Sequence, residues 1–203
     1  LQTKSSKKEE TLYHLVLLAQ NTSGYKNLIK LVSSGYLGEN LGEVAVIGES
    51  DLDKYSSSLV ALSGGDAGEF NILVASLIKE NSGLSFSGKN YDKLCSHVEL
   101  MKRRFPSNYY IELIDNNIYE QKKLLPYLVK VAQHFSLPIV ATGNVHYREK
   151  NFADCHALAV AIKNSLTMRE INKRERNCHF HMLSDEEMSE IFFEYPEALI
   201  NTE

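Results

Sequence analysis

Short apolar runs alternate with amphipathic stretches along most of this 203-residue sequence. Apolar runs bounded by turn residues are typical of buried strands, whereas apolar positions spaced three and four apart are typical of helices. In chain order, the pattern predicts a strand over 12–21, a helix from 23 to near Gly35, a short helix over Glu49–Tyr55, a strand over 58–65, helices over 68–82 and 91–106, a strand over 108–114, a helix over 117–136 and a strand over 138–147.

The order of these elements predicts the fold class. Strands that alternate with helices are typical of βαβ units, so we expect an α/β fold whose parallel sheet is open or closed into a barrel. Functional groups in such folds gather at the carboxyl ends of the strands. Three places meet that condition, namely His14, Gly65 and the pair Asn144 and His146. His14 lies inside its predicted strand, so its side chain could face either way.

The two ends of the sequence have a different pattern. The first ten residues are polar, which indicates a solvated loop. We expect the sequence to be a piece of a longer protein that begins within this loop. Residues 151–165 have helical spacing, whereas residues 166–183 are charged and irregular. Ser184 then precedes Glu187 by three residues, which is the capping-box arrangement at the start of a helix.

Composition narrows the classes of function. The net charge is -4 and 43% of the residues are hydrophobic, so the chain can bury a sizeable core and is not broadly basic. Contact with nucleic acid is therefore expected only locally or through another domain. The three cysteines lack C-x-x-C spacing, which indicates reduced thiols in a cytoplasmic protein. No apolar run is long enough to span a bilayer, so we expect no membrane partner.

Asn144 and His146 stand two residues apart at the end of the last predicted strand. In an extended segment both side chains lie on one face, as a metal or phosphate site requires. Imidazole is a good ligand for zinc or manganese, but an asparagine amide is a weak and neutral one. Two interpretations stay open: a metal site, or a turn capped by Asn144 with His146 hydrogen-bonded to backbone.

A second histidine pair, His179 and His181, directly follows Cys178. Charged neighbours surround this segment and no second ligand pair follows at zinc-finger spacing, so a metal site is the less favoured interpretation here. The basic runs at 102–104 and 173–176 could contact phosphates, although runs this short are usually solvated helix faces. Three further histidines are expected at the surface or at the edge of the core: His97, His134 and His156.

Several blocks of the sequence, taken together, resemble one family. In chain order they are YHLVLLAQNTSGYKNLIKL, LVALSGGDAGE, YYIELI, PIVATGNVHY, DCHALAVAIKNSLT, LSDEEMSEIF and PEALINT. Their order and approximate spacing resemble those of the PHP (polymerase and histidinol phosphatase) domain of the bacterial DNA polymerase III alpha subunit. The resemblance covers nearly the whole chain, from about Leu12 to the end.

The resemblance implies a particular architecture. The fold would be α/β, a partial and distorted (β/α) PHP-type barrel with a C-terminal helical segment leading towards the polymerase core. Residues 1–10 would be a solvated leader loop and residues 11–150 the barrel, without its N-terminal strands. Residues 151–203 would complete the PHP domain and connect it to the polymerase palm. A barrel without those strands is expected to fold poorly alone, since it exposes an unpaired edge.

The resemblance also implies a metal site that has lost part of its ligand set. Metal-bearing members hold metal ions on histidines, carboxylates and one cysteine, and can act as 3′–5′ proofreading nucleases. His14 and His146 match ligand histidines of the family, whereas Gly65 and Asn144 stand where metal-bearing members have cysteine and aspartate. Glycine offers no side-chain donor and asparagine does not compensate the charge of a dication. We therefore expect a degenerate site for Zn²⁺ or Mn²⁺.

The function implied by the resemblance is that of a fragment of a DNA polymerase III alpha-type subunit. The parent protein would carry out template-directed DNA synthesis with Mg²⁺ bound outside this chain. Its partners would be DNA, a proofreading exonuclease and the sliding clamp, while this fragment would be inactive by itself and mainly a scaffold. Two alternatives stay open: an active metal-dependent PHP 3′–5′ exonuclease or phosphoesterase, and an error-prone translesion paralogue of the alpha subunit.

Overall fold

The computed structural model describes residues 2–4, 11–37, 45–81, 83–167 and 178–203. The strands within them are β1 (Gln2–Lys4), β2 (Leu12–His14), β3 (Val16–Ala19), β4 (Val46–Ile47), β5 (Leu59–Leu62), β6 (Tyr109–Ile114) and β7 (Ile139–Thr142). The helices are α1 (Thr22–Leu37), α2 (Glu49–Tyr55), α3 (Glu69–Asn81), α4 (Lys89–Arg104), α5 (Tyr119–His134), α6 (Ala153–Lys163), α7 (Asp185–Ile191) and α8 (Pro196–Ile200). None of the helices described is long and apolar enough to cross a membrane.

The chain divides into two compact units. The first extends to Glu112 and also includes Lys130–Pro138, and the second consists of Leu113–Val129 and Ile139–Glu203. β6 and α5 therefore each contribute residues to both units. The mixture of strands and helices confirms the predicted α/β class. The barrel and the domain boundary at residue 150 stay predictions.

The described strands form two sheets. One has the order β2-β1-β4, with β1 antiparallel to β2 and parallel to β4. The other has the order β3-β5-β6-β7, with β3 antiparallel to β5 and β5 parallel to β6. The predicted parallel arrangement is confirmed for β5 and β6 and is wrong for β3 and β5. The chain between β3 and β5 contains α1, β4 and α2. These two strands are therefore not joined by the single crossover helix of a βαβ unit.

The single strand predicted over 12–21 is in fact two short strands. They are separated at Leu15, so β2 and β3 have different partners and belong to different sheets. Burial is only partial, since Leu15 and Leu17 are buried but Val16 and Leu18 are 38% and 51% exposed. β3 stands at the end of its sheet's strand order, where a strand has fewer neighbours to cover it. β1 lies within the ten-residue leader for which the sequence predicts a solvated loop.

The core of the first unit includes the contact between α3 and α4. Their buried side chains recur at helical spacing: Phe70, Val74 and Leu77 on α3, and Leu94, Val98 and Met101 on α4. Burying one large apolar side chain stabilises a fold by roughly 1.5–3 kcal/mol. The helix predicted over 91–106 is confirmed as α4, with its buried positions at helical spacing, and the short predicted helix over Glu49–Tyr55 is confirmed as α2.

Gly35 lies inside α1, although the sequence predicts that the helix ends near it. α1 continues to Leu37, and Gly35 is buried. A Cβ atom at Gly35 would lie 3.1 Å from the Cβ atom of Ala45, directly before β4. The glycine therefore permits a close approach between the helix and the next segment. Its role is packing rather than chain reversal, and the predicted end near Gly35 lies two residues before the observed end at Leu37.

Ser184 and Glu187 form the predicted capping box at the start of α7. The Glu187 backbone N–H donates to Ser184 Oγ at 3.2 Å, and the Ser184 backbone N–H donates to Glu187 Oε2 at 2.9 Å. In the same unit, Asn201 Nδ2 donates to the Ile139 carbonyl at 2.8 Å and so joins the end of α8 to β7. Both short helices of this unit are thus held by polar contacts at their ends.

Candidate functional site

His14, the first of the predicted site residues, is the exposed last residue of β2. Its backbone pairs with Gln2 of β1 and forms a parallel bridge with Gly68. A Cβ atom on Gly64 would lie 2.1 Å from the His14 carbonyl oxygen, a distance that no side chain tolerates. Gly64 also has φ of 86°, in the left-handed region that favours glycine. The glycine turn therefore allows two stretches of backbone to meet at His14.

Gly65 lies in this same turn. It begins the 3-10 turn Gly65–Ala67, is buried and has φ of 58°. Backbone in the left-handed region is unfavourable for any residue with a Cβ atom. The structure thus brings His14 and Gly65 to one turn of the first unit. Gly65 supplies no side-chain ligand atom, and its left-handed backbone is unfavourable for the cysteine that the resemblance assigns to this position in metal-bearing members.

A cleft of about 550 Å³ in the first unit is lined by His14 together with a buried polar chain that the sequence did not reveal. His97 Nδ1 lies 3.1 Å from Glu69 Oε2, and His97 Nε2 lies 3.2 Å from the Tyr109 hydroxyl. His97 is only 9% exposed, so the expectation of a surface or core-edge residue was wrong. Burial and the nearby Glu69 raise the pKa of Tyr109, which keeps the phenol protonated. The three side chains join α3, α4 and β6.

Arg104 lines the same cleft and is a buried cation. Its Nε donates to Asp53 Oδ1 at 2.6 Å, and one terminal nitrogen lies 3.4 Å from Glu49 Oε2. The hydrogen bond from Arg104 lowers the pKa of Asp53. The prediction of a solvated helix face at 102–104 is therefore wrong at Arg104, which ties α4 to α2. The second basic run, 173–176, lies outside the described residues.

Asn144 follows β7 at the point where the backbone leaves the extended conformation. β7 ends at Thr142, and Asn144 has φ of 43°. Asn144 Nδ2 donates to Asn116 Oδ1 at 3.4 Å. The prediction that Asn144 and His146 share one face of an extended segment is therefore wrong, because the chain turns at Asn144.

His146 is held by the segment that contains the second histidine pair. Its backbone N–H donates to the Phe180 carbonyl at 2.8 Å. Its ring centre lies 5.2 Å from that of Phe180 and 5.1 Å from that of His156, beside a cleft of about 530 Å³ that Cys155 also lines. Burial lowers the pKa of His146, and the neighbouring His156 lowers it further. A neutral imidazole results, paired with a second imidazole rather than with a carboxylate.

Asn116 is the centre of the polar contacts in the second unit and is fully buried. Its Nδ2 donates to the carbonyl oxygens of Gly143 at 2.9 Å and His179 at 2.7 Å. Its backbone N–H donates to Gln121 Oε1 at 2.8 Å, and its backbone carbonyl accepts from the His179 N–H at 2.9 Å. Sequence reasoning missed this residue, because a lone asparagine after a strand carries no signal of such long-range pairing.

His179 and His181 lie on the segment that follows Cys178. Their ring centres are 6.0 Å apart, and His181 is 5% exposed. His181 Nε2 lies 3.4 Å from Glu187 Oε1. Within the part of the chain that the structure describes, the buried Nδ1 atoms of both rings have no hydrogen-bond partner. Burial lowers the pKa of His179, and the neighbouring His181 lowers it further.

His14 and Gly65 lie in the first unit, whereas Asn144 and His146 lie in the second. Over residues 11–37, 45–81, 83–167 and 178–203, no group of three or more histidine, cysteine, aspartate or glutamate side chains is arranged to hold a metal ion. In each unit, one predicted ligand histidine thus accompanies a residue, Gly65 or Asn144, whose side chain adds no charge.

Comparison with known proteins finds one domain family and relatives that all have the same name. The PHP domain family matches residues 1–116. DNA polymerase III subunit alpha of Borreliella burgdorferi is 34% identical over 206 residues, which cover 98% of this chain and 17% of that subunit. The Escherichia coli K12 subunit of the same name is 33% identical over 195 residues, covering 95% of this chain and 16% of the subunit. The Helicobacter pylori 26695 subunit is 29% identical over 204 residues, which cover 98% of this chain and 16% of that subunit.

The family match covers more than half of the chain, and the similarity to the alpha subunits extends over nearly all of it. The chain spans only about 16% of the length of these relatives. The sequence blocks that resemble a PHP domain are therefore confirmed by an independent comparison, and the chain belongs to the PHP domain family.

Proposed function

We propose that this chain is the PHP-domain part of a DNA polymerase III alpha-type subunit. The similarity to named alpha subunits over 95% or more of the chain supports this proposal. The parent protein would extend primers on a DNA template with Mg²⁺ held by carboxylates outside this chain. DNA, a proofreading exonuclease and the sliding clamp would be its partners.

Within that protein the PHP domain acts mainly as a scaffold. The observation that carries this proposal is the network around Asn116, whose amide and backbone bind the loop after β7 and the segment at His179. Asn144, at a family ligand position, directs its own amide to Asn116. A side chain that would face a metal ion in other members is thus part of an internal hydrogen-bond network in this chain.

The residues present do not fit the family's metal centre. Gly65 has no donor atom and has left-handed backbone, and Asn144 is neutral and bonded to another amide. A dication held by His14 or His146 would lack the carboxylate charge that such sites normally supply. We therefore derive no nuclease step through a Zn²⁺ or Mn²⁺ ion at these positions.

Primer extension by the full-length subunit tests the proposal. The wild-type subunit is expected to extend a primed DNA template in the presence of Mg²⁺ and deoxynucleotides. Asn116→Ala is expected to lower the temperature at which the subunit unfolds and at which extension is lost, because the scaffold loosens. The matched control is Asn164→Ala, at an exposed asparagine, which should leave both temperatures unchanged.

Two results would contradict the proposal. A full-length subunit that does not extend primers would show that the parent is not a polymerase. An Asn116→Ala subunit that unfolds and loses activity at the wild-type temperatures would show that the network does not support the fold.

A further inference from the structure

His179 and His181 carry features of a metal site that the family resemblance does not assign. We propose that these two histidines bind a divalent transition-metal ion, with zinc the best match, at a place distinct from Asn144 and His146. Imidazole is a ligand that zinc, copper and nickel all accept. Water would complete the coordination, since the described residues supply two ligands.

The pair His179 and His181 and the pair His146 and His156 lie on opposite sides of the short segment 179–181. His181 pairs with Tyr147 in a parallel bridge, so the segment runs beside the loop that contains His146. Phe180 packs its ring on His146, at 5.2 Å between ring centres, whereas the rings of His179 and His181 contact each other. Because side chains alternate along an extended segment, the His179–His181 pair faces away from Phe180 and His146.

The environment of His181 leaves one ring nitrogen available for a metal. Its Nε2 faces Glu187 Oε1 at 3.4 Å, so in the neutral ring Nε2 carries the proton and donates to the carboxylate. Nδ1 then has a buried lone pair, and no N–H or O–H group among the described residues reaches it. A buried acceptor without a partner is costly. A carboxylate on one nitrogen and a metal ion on the other is the usual arrangement of a metal-binding histidine.

Glu187 is itself fixed, which orients the His181 ring. Its Oε2 accepts the Ser184 backbone N–H at 2.9 Å as part of the capping box. The carboxylate therefore has one oxygen for the start of α7 and the other for His181. This support restricts the ring before any ion arrives, as the outer partners of metal ligands do.

The spacing of the two rings suits a shared ion. A zinc ion about 2.1 Å from a ring nitrogen stands roughly 3.2 Å from the ring centre, so two ligating rings have centres roughly 5.2 Å apart at the tetrahedral angle and at most about 6.4 Å apart. The observed separation is 6.0 Å. The tetrahedral arrangement thus requires a closure of less than about 1 Å.

The charges around the pair also permit a cation. Lys150 and Lys122 lie close enough to lower the pKa of His179, whereas Asp115 acts in the opposite direction. Glu187 adds a second negative charge beside His181. Two lysines and two carboxylates thus lie near the pair.

Titration of the untagged, metal-stripped full-length subunit with Zn²⁺ tests the proposal, which in this form rests on the proposed function. One zinc ion per subunit is expected to bind, and His179→Gln and His181→Gln should each abolish or strongly weaken binding. Glu187→Gln should weaken it by about 10–100-fold, since it replaces the charged outer partner of His181 with a neutral amide. The matched controls His14→Gln and His146→Gln should bind zinc as the wild type does. Thermal unfolding of each variant shows whether it is folded.

A second measurement on the wild-type full-length subunit, with labelled histidine, does not depend on the variants folding. In nitrogen-detected NMR of the imidazoles, Zn²⁺ should shift the Nδ1 resonances of His179 and His181 and leave those of His146 in place. The proposal is overturned if the wild-type subunit takes up no zinc. It is equally overturned if zinc shifts His146 instead, or if binding survives the loss of both His179 and His181.

Discussion

The two places where the family resemblance predicts metal ligands are built in opposite ways. In the first unit, the turn at His14 is made of glycine backbone, and Gly64, Gly65 and Gly68 leave no space or no suitable conformation for side chains. In the second unit, the loop at Asn144 is held by polar side chains, with Asn116 at their centre. The predicted ligand positions thus lie in close backbone packing in one unit and in a hydrogen-bond network in the other.

This difference predicts which changes each place tolerates. The turn of the first unit should be sensitive to any added atom and insensitive to the loss of polar groups. The loop of the second unit should be sensitive to the loss of polar groups. Two substitutions separate these two modes of stabilisation and two more test polar contacts elsewhere in the first unit, each with a control.

Gly68→Ala is expected to have the largest effect. A Cβ atom there would lie 1.8 Å from the Ser63 carbonyl oxygen, so backbone has to move. Gly48 is a matched control, because it has the same φ of -77° but its nearest neighbour beyond the adjacent residues is Ser50 Oγ at 3.8 Å. Urea denaturation should show a loss of roughly 3 kcal/mol for Gly68→Ala and a change within about 0.5 kcal/mol for Gly48→Ala. Equal effects would mean that the turn is not closely packed.

Asn116→Ala is expected to have the next largest effect. It removes two hydrogen bonds that Nδ2 donates, to Gly143 and His179, and leaves those carbonyl groups without their partner. The free energy of unfolding should fall by roughly 2–3 kcal/mol. The control Asn164→Ala should change it by less than about 0.5 kcal/mol, as exposed positions do. An Asn116→Ala chain as stable as the wild type would show that the loop is held by other contacts.

Tyr109→Phe tests the buried polar chain beside the turn of the first unit. The substitution removes the hydroxyl that lies 3.2 Å from His97 Nε2 and keeps the ring. The buried imidazole nitrogen then loses its partner, so we expect a loss of roughly 1–2 kcal/mol in unfolding free energy. Tyr110→Phe, at the neighbouring half-buried position, serves as the control and should be nearly neutral. If the two variants are equally stable, the His97 contact is not a stabilising hydrogen bond.

Asp53→Asn is expected to have the smallest effect, and only at a particular pH. Arg104 lowers the pKa of Asp53 in the folded state, so this carboxylate stabilises the fold above the unfolded pKa near 3.9. That contribution is lost as the pH falls through the lower, folded-state pKa. Because Asp53 is half exposed, the effect at pH 7 should be no more than roughly a few tenths of a kcal/mol.

Unfolding measured from pH 7 down to pH 2 checks this expectation. The wild-type chain should lose slightly more stability over that range than Asp53→Asn. Asp51→Asn, in the same helix, provides the control and should follow the wild type. A variant at Asp53 that loses as much stability as the wild type would contradict the assigned ion pair.

Local patterns were sufficient to predict part of this molecule. The capping box of Ser184 and Glu187, the short helix α2 and the apolar face of α4 all depend on residues within one or two turns of each other. Such features can be predicted from the sequence because the residues that form them are close together in the chain. The family resemblance likewise depended on contiguous blocks, and the comparisons confirm it.

Contacts between distant residues could not be predicted in the same way. Gly35 looks like the end of a helix, and only the approach of Ala45 shows its packing role. His97 looks like a surface histidine until Glu69 and Tyr109 surround it. The turn at Asn144 also depends on a residue 28 positions away, Asn116. The candidate site was therefore located by resemblance, while its geometry required the structure.

The release of labelled nucleotide from the 3′ end of a primer by the full-length subunit tests most directly whether the PHP site is a scaffold. The assay contains Mn²⁺ or Zn²⁺ and no deoxynucleotides, with a chelator-treated sample as the blank. We predict release no faster than in the blank for the wild-type subunit. Metal-dependent release that Asn144→Ala and His146→Gln both abolish would contradict the account, and would show that the loop after β7 is an active nuclease centre.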